Sequence, residues 1–150
     1  MQQGKVSVTR RLEWDAAHRV LRHESKCSTL HGHRYAAEVT VTRADGFDEL
    51  DSVGRVIDFG VVKAQLGGWI DKNLDHTTIA GHRDTDLIEF CDGEATTQGK
   101  RVPYVIQGEP TAENIAKLLF GVASAMFAPA LRVVSVRVYE TPNCFADCAS

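Results

Sequence analysis

Residues His31 to Thr42 alternate in a way that suits an extended strand. His31, His33, Tyr35, Ala37, Val39 and Val41 fall on one side, and Arg34, Glu38, Thr40 and Thr42 fall on the other. Lys5 to His18 follows the same period, with Val6, Val8, Leu12, Trp14, Ala16 and His18 sharing a face that only Arg10 interrupts. A third such face carries Val134, Val136, Val138 and Glu140, opposite Ser135, Arg137 and Tyr139. Strand faces this apolar must be covered, and the histidines and the glutamate that end them are expected to be buried too.

Two helical patterns lie between these strands. The first begins after Asp58, an N-cap residue, and places Val62, Leu66, Ile70 and Leu74 at four-residue spacing with Trp69 beside them, although Gly67 and Gly68 weaken it. The second follows Pro110 and Thr111 and carries Ile115, Leu118, Leu119, Val122 and Met126 as one stripe that Pro129 closes. A short last strand is expected around Asn143 to Cys148. This order predicts an α+β fold, an antiparallel sheet with two helices on one face, built by residues 1–150 as a single domain. Between them a polar, Gly-containing excursion at about 77–109 holds two apolar patches, Leu87 to Cys91 and Val102 to Ile106, whose spacing predicts a hairpin. No internal repeat is present.

Composition narrows the class. Hydrophobic residues make up 43% of 150 and charged residues 25%, the balance of a folded globular chain. Seventeen Lys and Arg against twenty Asp and Glu give a net charge of -3, with no basic stripe, so nucleic acid is not an expected partner. Met1 to Arg11 lacks an apolar leader segment and no run is long enough to span a membrane, so a cytoplasmic protein is expected. Cys27, Cys91, Cys144 and Cys148 are too unevenly spaced for a disulfide framework.

A single histidine on an apolar strand face is usually a hydrogen-bonded core residue. Three change that reading: His31 and His33 point the same way from one strand, and His18 ends the matching face of its neighbour in sequence. If the two strands pair, three imidazoles converge with a fourth position open, the ligand arrangement of a catalytic zinc site; iron or copper could use the same donors. Cys27, four residues before His31, is either a fourth ligand that closes the site or a free thiol serving as base or nucleophile. Asp75 and His76, just past the first helix, could orient an imidazole beside a thiol, although spacing alone favours an ordinary polar turn. Glu140 ends an all-valine face and therefore needs either a cationic partner or a ligand with adjacent N–H donors. Cys144, Cys148 and Cys91 read as ordinary thiols, and His23 and His82 as solvated side chains.

Taken in order, WDAAHR, C-x3-HGH, G-x-V-x-DFG, LDH, PTAEN and YET resemble the 6-pyruvoyl- and 6-carboxy-tetrahydropterin synthase family from about Glu13 to Thr141. The resemblance implies a T-fold (tunnelling fold), a four-stranded antiparallel sheet with two helices. It also implies subunits that join their sheets into barrels, usually as hexamers, with active sites between subunits. By the same resemblance His18, His31 and His33 would hold zinc. Cys27, Asp75 and His76 would form the proton relay, Glu140 would anchor a pterin through its ring nitrogens, and Thr111 would line the pterin pocket. The stretch Thr77 to Glu109 is longer than the family pattern.

The implied substrate is 7,8-dihydroneopterin triphosphate. Eliminating triphosphate with internal redox gives the 6-pyruvoyl product, whereas carbon–carbon cleavage gives the 6-carboxy product and acetaldehyde, on the route to queuosine and other 7-deazapurines. The compact C-x3-H-G-H spacing and the C-terminal ETPNCFADC resemble the bacterial, 6-carboxy enzymes. A zinc-containing pterin-binding protein without turnover is the reading from a different class.

Overall fold

A computed structural model describes residues 4–47 and 49–150. Two long strands, β1 (Ser7–His18) and β2 (His31–Arg43), pair antiparallel, with His18 opposite His31 and Ala16 opposite His33. Their inward faces are those the alternation predicts: Leu12, Trp14 and Ala16 from β1 and Tyr35, Ala37, Val39 and Val41 from β2 are buried. Trp14 and Tyr35 are register partners, fully buried and stacked with ring centroids 5.3 Å apart. Truncating either to alanine would leave a cavity costing about 3–5 kcal/mol.

Residues 59–73 form the first helical run: α1 (Phe59–Val62), a π turn (Lys63–Gly67) and α2 (Gly68–Asn73), started by Asp58, whose carboxylate accepts from the Gly60 amide. A strict four-residue repeat runs ahead of 3.6 residues per turn, and the wider π turn restores the phase, so Val62, Leu66, Ile70 and Leu74 all stay buried despite the two glycines. Beyond it come β3 (Thr77–Gly81), α3 (Thr85–Gln98), β4 (Tyr104–Ile106), α4 (Ala112–Phe127), β5 (Leu131–Thr141) and β6 (Cys144–Ala149). The sheet order is β4-β3-β1-β2-β5-β6.

The excursion departs from its predicted form. Leu87 to Cys91 lies inside α3 rather than on a strand, and β4 pairs parallel with β3, which itself runs parallel to the end of β1. The excursion is therefore a strand–helix–strand crossover, not a hairpin, because two parallel strands need a connection that returns along the sheet. Six strands result instead of four, and the sheet is mixed instead of antiparallel throughout. The run 59–73 and α4 share one core with the sheet's inner face, as expected. The third helix, α3, takes the other face: Ile79 of β3 enters the main core while its neighbour Ala80 packs on Leu87 and Cys91.

A second correction concerns β5. A bulge opposite Thr40 and Val41 shifts its register, so Val133, Val136 and Val138 face the core, and Val134 is only half-buried. A second irregularity lies between Tyr139 and Thr141 in the pairing with β6 and leaves Glu140 without a register partner.

Candidate active site

The β1–β2 register assembles the three histidines. Ring centroids are 4.7 Å apart for His18 and His31, 5.0 Å for His18 and His33, and 4.8 Å for His31 and His33. Their donor nitrogens all lie within 4.8 Å of one another, a grouping that does not include the Cys27 thiol. Two rings are held by backbone carbonyls: His18 Nδ1 donates to Pro110 O at 2.7 Å, and His31 Nδ1 donates to Thr29 O at 2.5 Å. A carbonyl only accepts, so in the neutral form each of these rings carries its proton on Nδ1 and has its lone pair on Nε2. His18 Nε2 and His33 Nε2 are buried without a hydrogen-bond partner. Burial lowers the His18 pKa to about 4, the Pro110 carbonyl opposing and His31 and His33 adding to the effect; burial, then His31, lowers His33. Neutral imidazoles with orphaned Nε2 atoms are the donor set a metal requires, so the residues fit the group that the sequence implies.

Glu140 reaches the same place from β5, with Oε1 3.8 Å from His18 Nε2. Burial pushes its carboxyl above the ordinary value, Glu113 adds to that, and His31 opposes it. A cavity of about 300 Å³ opens here, lined by His18, Cys27, Thr111, Glu113 and Glu140 together with His23 and Phe145. Cys27 sits half-buried in the 3₁₀ turn Lys26–Ser28. Thr111 has a local duty as well, since its hydroxyl caps α4 by accepting from the Asn114 amide at 3.3 Å. The sequence reading brought six of its eight site residues to this locality and missed others on the wall, Glu113 and His23 among them. Glu113 was legible only as the acidic first-turn residue of α4, and His23 read as solvated.

Asp75 and His76 are a built pair but stand elsewhere. His76 Nδ1 donates to Asp75 Oδ2 at 2.8 Å, and Asp75 Oδ1 accepts from the Asp15 amide at 3.0 Å. His76 adopts a left-handed backbone (φ 55°) while its own amide donates to Asp15 O at 2.7 Å. Burial alone would raise the Asp75 carboxyl, but the Asp15 amide and the His76 ring outweigh it and hold it below its ordinary value. His76 is 71% exposed and opens onto a different cavity of about 630 Å³, shared with Asp15, Ala17 and Gly32. Those positions alternate with His18, His31 and His33 along β1 and β2, and α3, which covers the other face, supplies Phe90 and Glu94 to the wall, so this cavity lies on the opposite face of the sheet. Within one protomer the pair does not meet Cys27.

Residues 7–150 match the sequence model of the family described as 6-pyruvoyl tetrahydropterin synthase. The chain belongs to the 6-pyruvoyl tetrahydropterin synthase family. Within that family it is 40% identical over 147 residues to the 6-carboxy-5,6,7,8-tetrahydropterin synthase of Rickettsia conorii, covering 95% of this chain and 99% of that protein. Its identity to the protein of the same name in Aquifex aeolicus is 29%, over 95% and 97% of the two chains. Among solved structures, an uncharacterized protein of Wolinella succinogenes superposes with a TM-score of 0.80 at 23% identity, each chain covered to 99%. The 6-pyruvoyl tetrahydropterin synthase of Caenorhabditis elegans superposes with a TM-score of 0.67 at 21% identity, over 100% and 99% of the chains. These likenesses establish the T-fold, here with six strands.

Proposed function

We propose that this chain is a zinc-dependent 6-carboxy-5,6,7,8-tetrahydropterin synthase, converting 7,8-dihydroneopterin triphosphate to 6-carboxytetrahydropterin, acetaldehyde and triphosphate for queuosine and other 7-deazapurines. The observation that carries it is the convergence of three imidazoles, with His18 Nε2 and His33 Nε2 buried and unpartnered, beside a cavity that His18 lines together with Cys27 and Glu140. The similarity to relatives of that name supports the 6-carboxy product. Residues 1–150 act in this reading as one T-fold domain, and the free thiols suit the reducing cytoplasm.

His18, His31 and His33 would hold zinc, which when bound supplies a Lewis acid for the substrate's side-chain hydroxyls. The Glu140 carboxylate accepts hydrogen bonds from the pterin's ring N–H groups and fixes the ring, with Thr111 on the pocket wall. Cys27 Sγ moves a proton at the substrate side chain. Asp75 accepts from His76 Nδ1 and so keeps His76 Nε2 available for the second proton transfer.

The two halves of this relay lie on opposite sheet faces, so we place the complete site between subunits of a homo-oligomer, with a hexamer favoured. Support comes from the sheet's margins: β3 covers β1 only at Ala16 to His18, and along Arg10 to Glu13, where β3 does not pair, β1 borders an open groove that Arg34, Lys63 and Gly67 also line. At the opposite margin stands β6. Such edges join by strand addition.

The test is to incubate zinc-loaded protein with 7,8-dihydroneopterin triphosphate and identify products by mass spectrometry, with Cys27→Ala beside it. 6-Carboxytetrahydropterin with acetaldehyde is expected. The 6-pyruvoyl product would reassign the reaction, and binding without turnover would make the protein a pterin-binding module.

A further inference from the structure

Cys27 lies in a polar loop, Arg19 to Leu30, with few apolar residues to hold it, so its position must come from hydrogen bonds. Inside the loop the Val20 amide donates to Cys27 O at 2.9 Å. The next amide, Leu21 N–H, leaves the loop and donates to Glu109 Oε2 at 2.8 Å. Adjacent amides thus link Cys27 to a side chain at the end of the excursion. Glu109 is itself fixed: its carbonyl accepts from Asn114 Nδ2 at 2.8 Å, and the preceding Gly108 amide donates to His82 Nδ1 at 3.0 Å.

Two further contacts brace the same region. Arg19, at the loop's start, forms a bidentate pair with buried Asp84, both bonds 2.6 Å, at the N-terminus of α3. Pro110, following Glu109, supplies the carbonyl that orients His18. The brace stands close to β3: a Cβ on Gly81 would meet Gly108 O at 2.6 Å, so this approach requires glycine there. His82, read from sequence as merely solvated, is part of the brace.

We propose that Glu109 is a positioning residue that tethers the Cys27 loop through the Leu21 amide, and that the long Thr77–Glu109 excursion serves as its mount. The proposal rests on the catalytic role of Cys27 given above. The reach of the acceptor carries the function, not its charge. A carboxylate one methylene shorter withdraws from the amide, whereas a glutamine carbonyl still accepts from it.

The experiment compares wild type with Glu109→Gln, Glu109→Asp and Glu109→Ala. It measures kcat, KM and zinc content, and the rate of iodoacetamide modification at Cys27 located by peptide mass mapping. Glu109→Gln should stay within about twofold of wild type, while Glu109→Asp and Glu109→Ala lose about tenfold in kcat with KM and zinc little changed, the scale of a modest misplacement of a reacting group. The Cys27 modification rate should shift in the same two variants and not in Glu109→Gln. An impaired Glu109→Gln, or a wild-type-like Glu109→Asp, would overturn the tether. If Glu109→Ala does not fold, the Gln and Asp pair still decides. The modification rate needs no pterin, so a wrong substrate for the enzyme would leave this result standing.

Discussion

At the scale of single residues, the donor set around His18 depends on which nitrogen of each ring is free. Pro110 O and Thr29 O settle this for two rings, while Cys27 stands outside the grouping. Cys27→Ala should therefore lower turnover by at least about 10²-fold and leave one zinc per chain by elemental analysis; zinc lost with the thiol would make Cys27 a ligand. In the proposed pterin site, Glu140→Gln exchanges an acceptor for a side chain that also presents donors to the ring. It should weaken binding of an unreactive pterin by about 1–3 kcal/mol in calorimetry, with zinc retained. Most of this site was legible because a period of two puts His31 and His33 on one side whatever the rest of the chain does. The placement of Asp75 and His76 was not legible, because no local pattern says which face of β1 a distant turn will join.

At the scale of elements, the excursion is where sequence and structure part. Only Leu87 and Cys91 of α3 are buried, since the helix covers little more than Ala80, and so narrow a stripe resembles a strand patch as much as a helix. The termini carried the better signal: Asp84 caps α3 by accepting from the Leu87 amide, Asp86 lies in its first turn, and Gly99 ends it in the left-handed conformation. The run 59–73 shows the opposite case, where burial of Val62, Leu66 and Ile70, and of Leu74 just past its end, overrode two glycines. Asp84→Asn should lower stability by about 1–3 kcal/mol at pH 7 in urea unfolding. Arg19 holds the folded Asp84 carboxyl below its ordinary 3.8. The contribution is thus complete above that value and is lost as the pH falls through the lower, folded one. The gap between wild type and Asp84→Asn should be flat at neutral pH and close only in acid below about pH 4.

At the scale of the whole molecule, the proposed relay, with Cys27 and the Asp75–His76 pair on opposite sheet faces, predicts complementation. Cys27→Ala and His76→Ala, each inactive alone, should recover about a quarter of wild-type sites when subunits are exchanged in equal amounts, because only interfaces pairing an intact Cys27 with an intact His76 work. No recovery after proven exchange would place the relay within one chain. His18 also lies 92 residues from the carbonyl that orients it. A chain emerging from the ribosome holds all three imidazoles long before Pro110 exists, yet it cannot fix the His18 tautomer until α4 and the segment before it have docked. Contacts this distant in sequence form late. On the proposed reading, tight zinc capture is therefore a closing event of folding, and the rate of zinc uptake by refolding protein reports on completion of the second half of the chain.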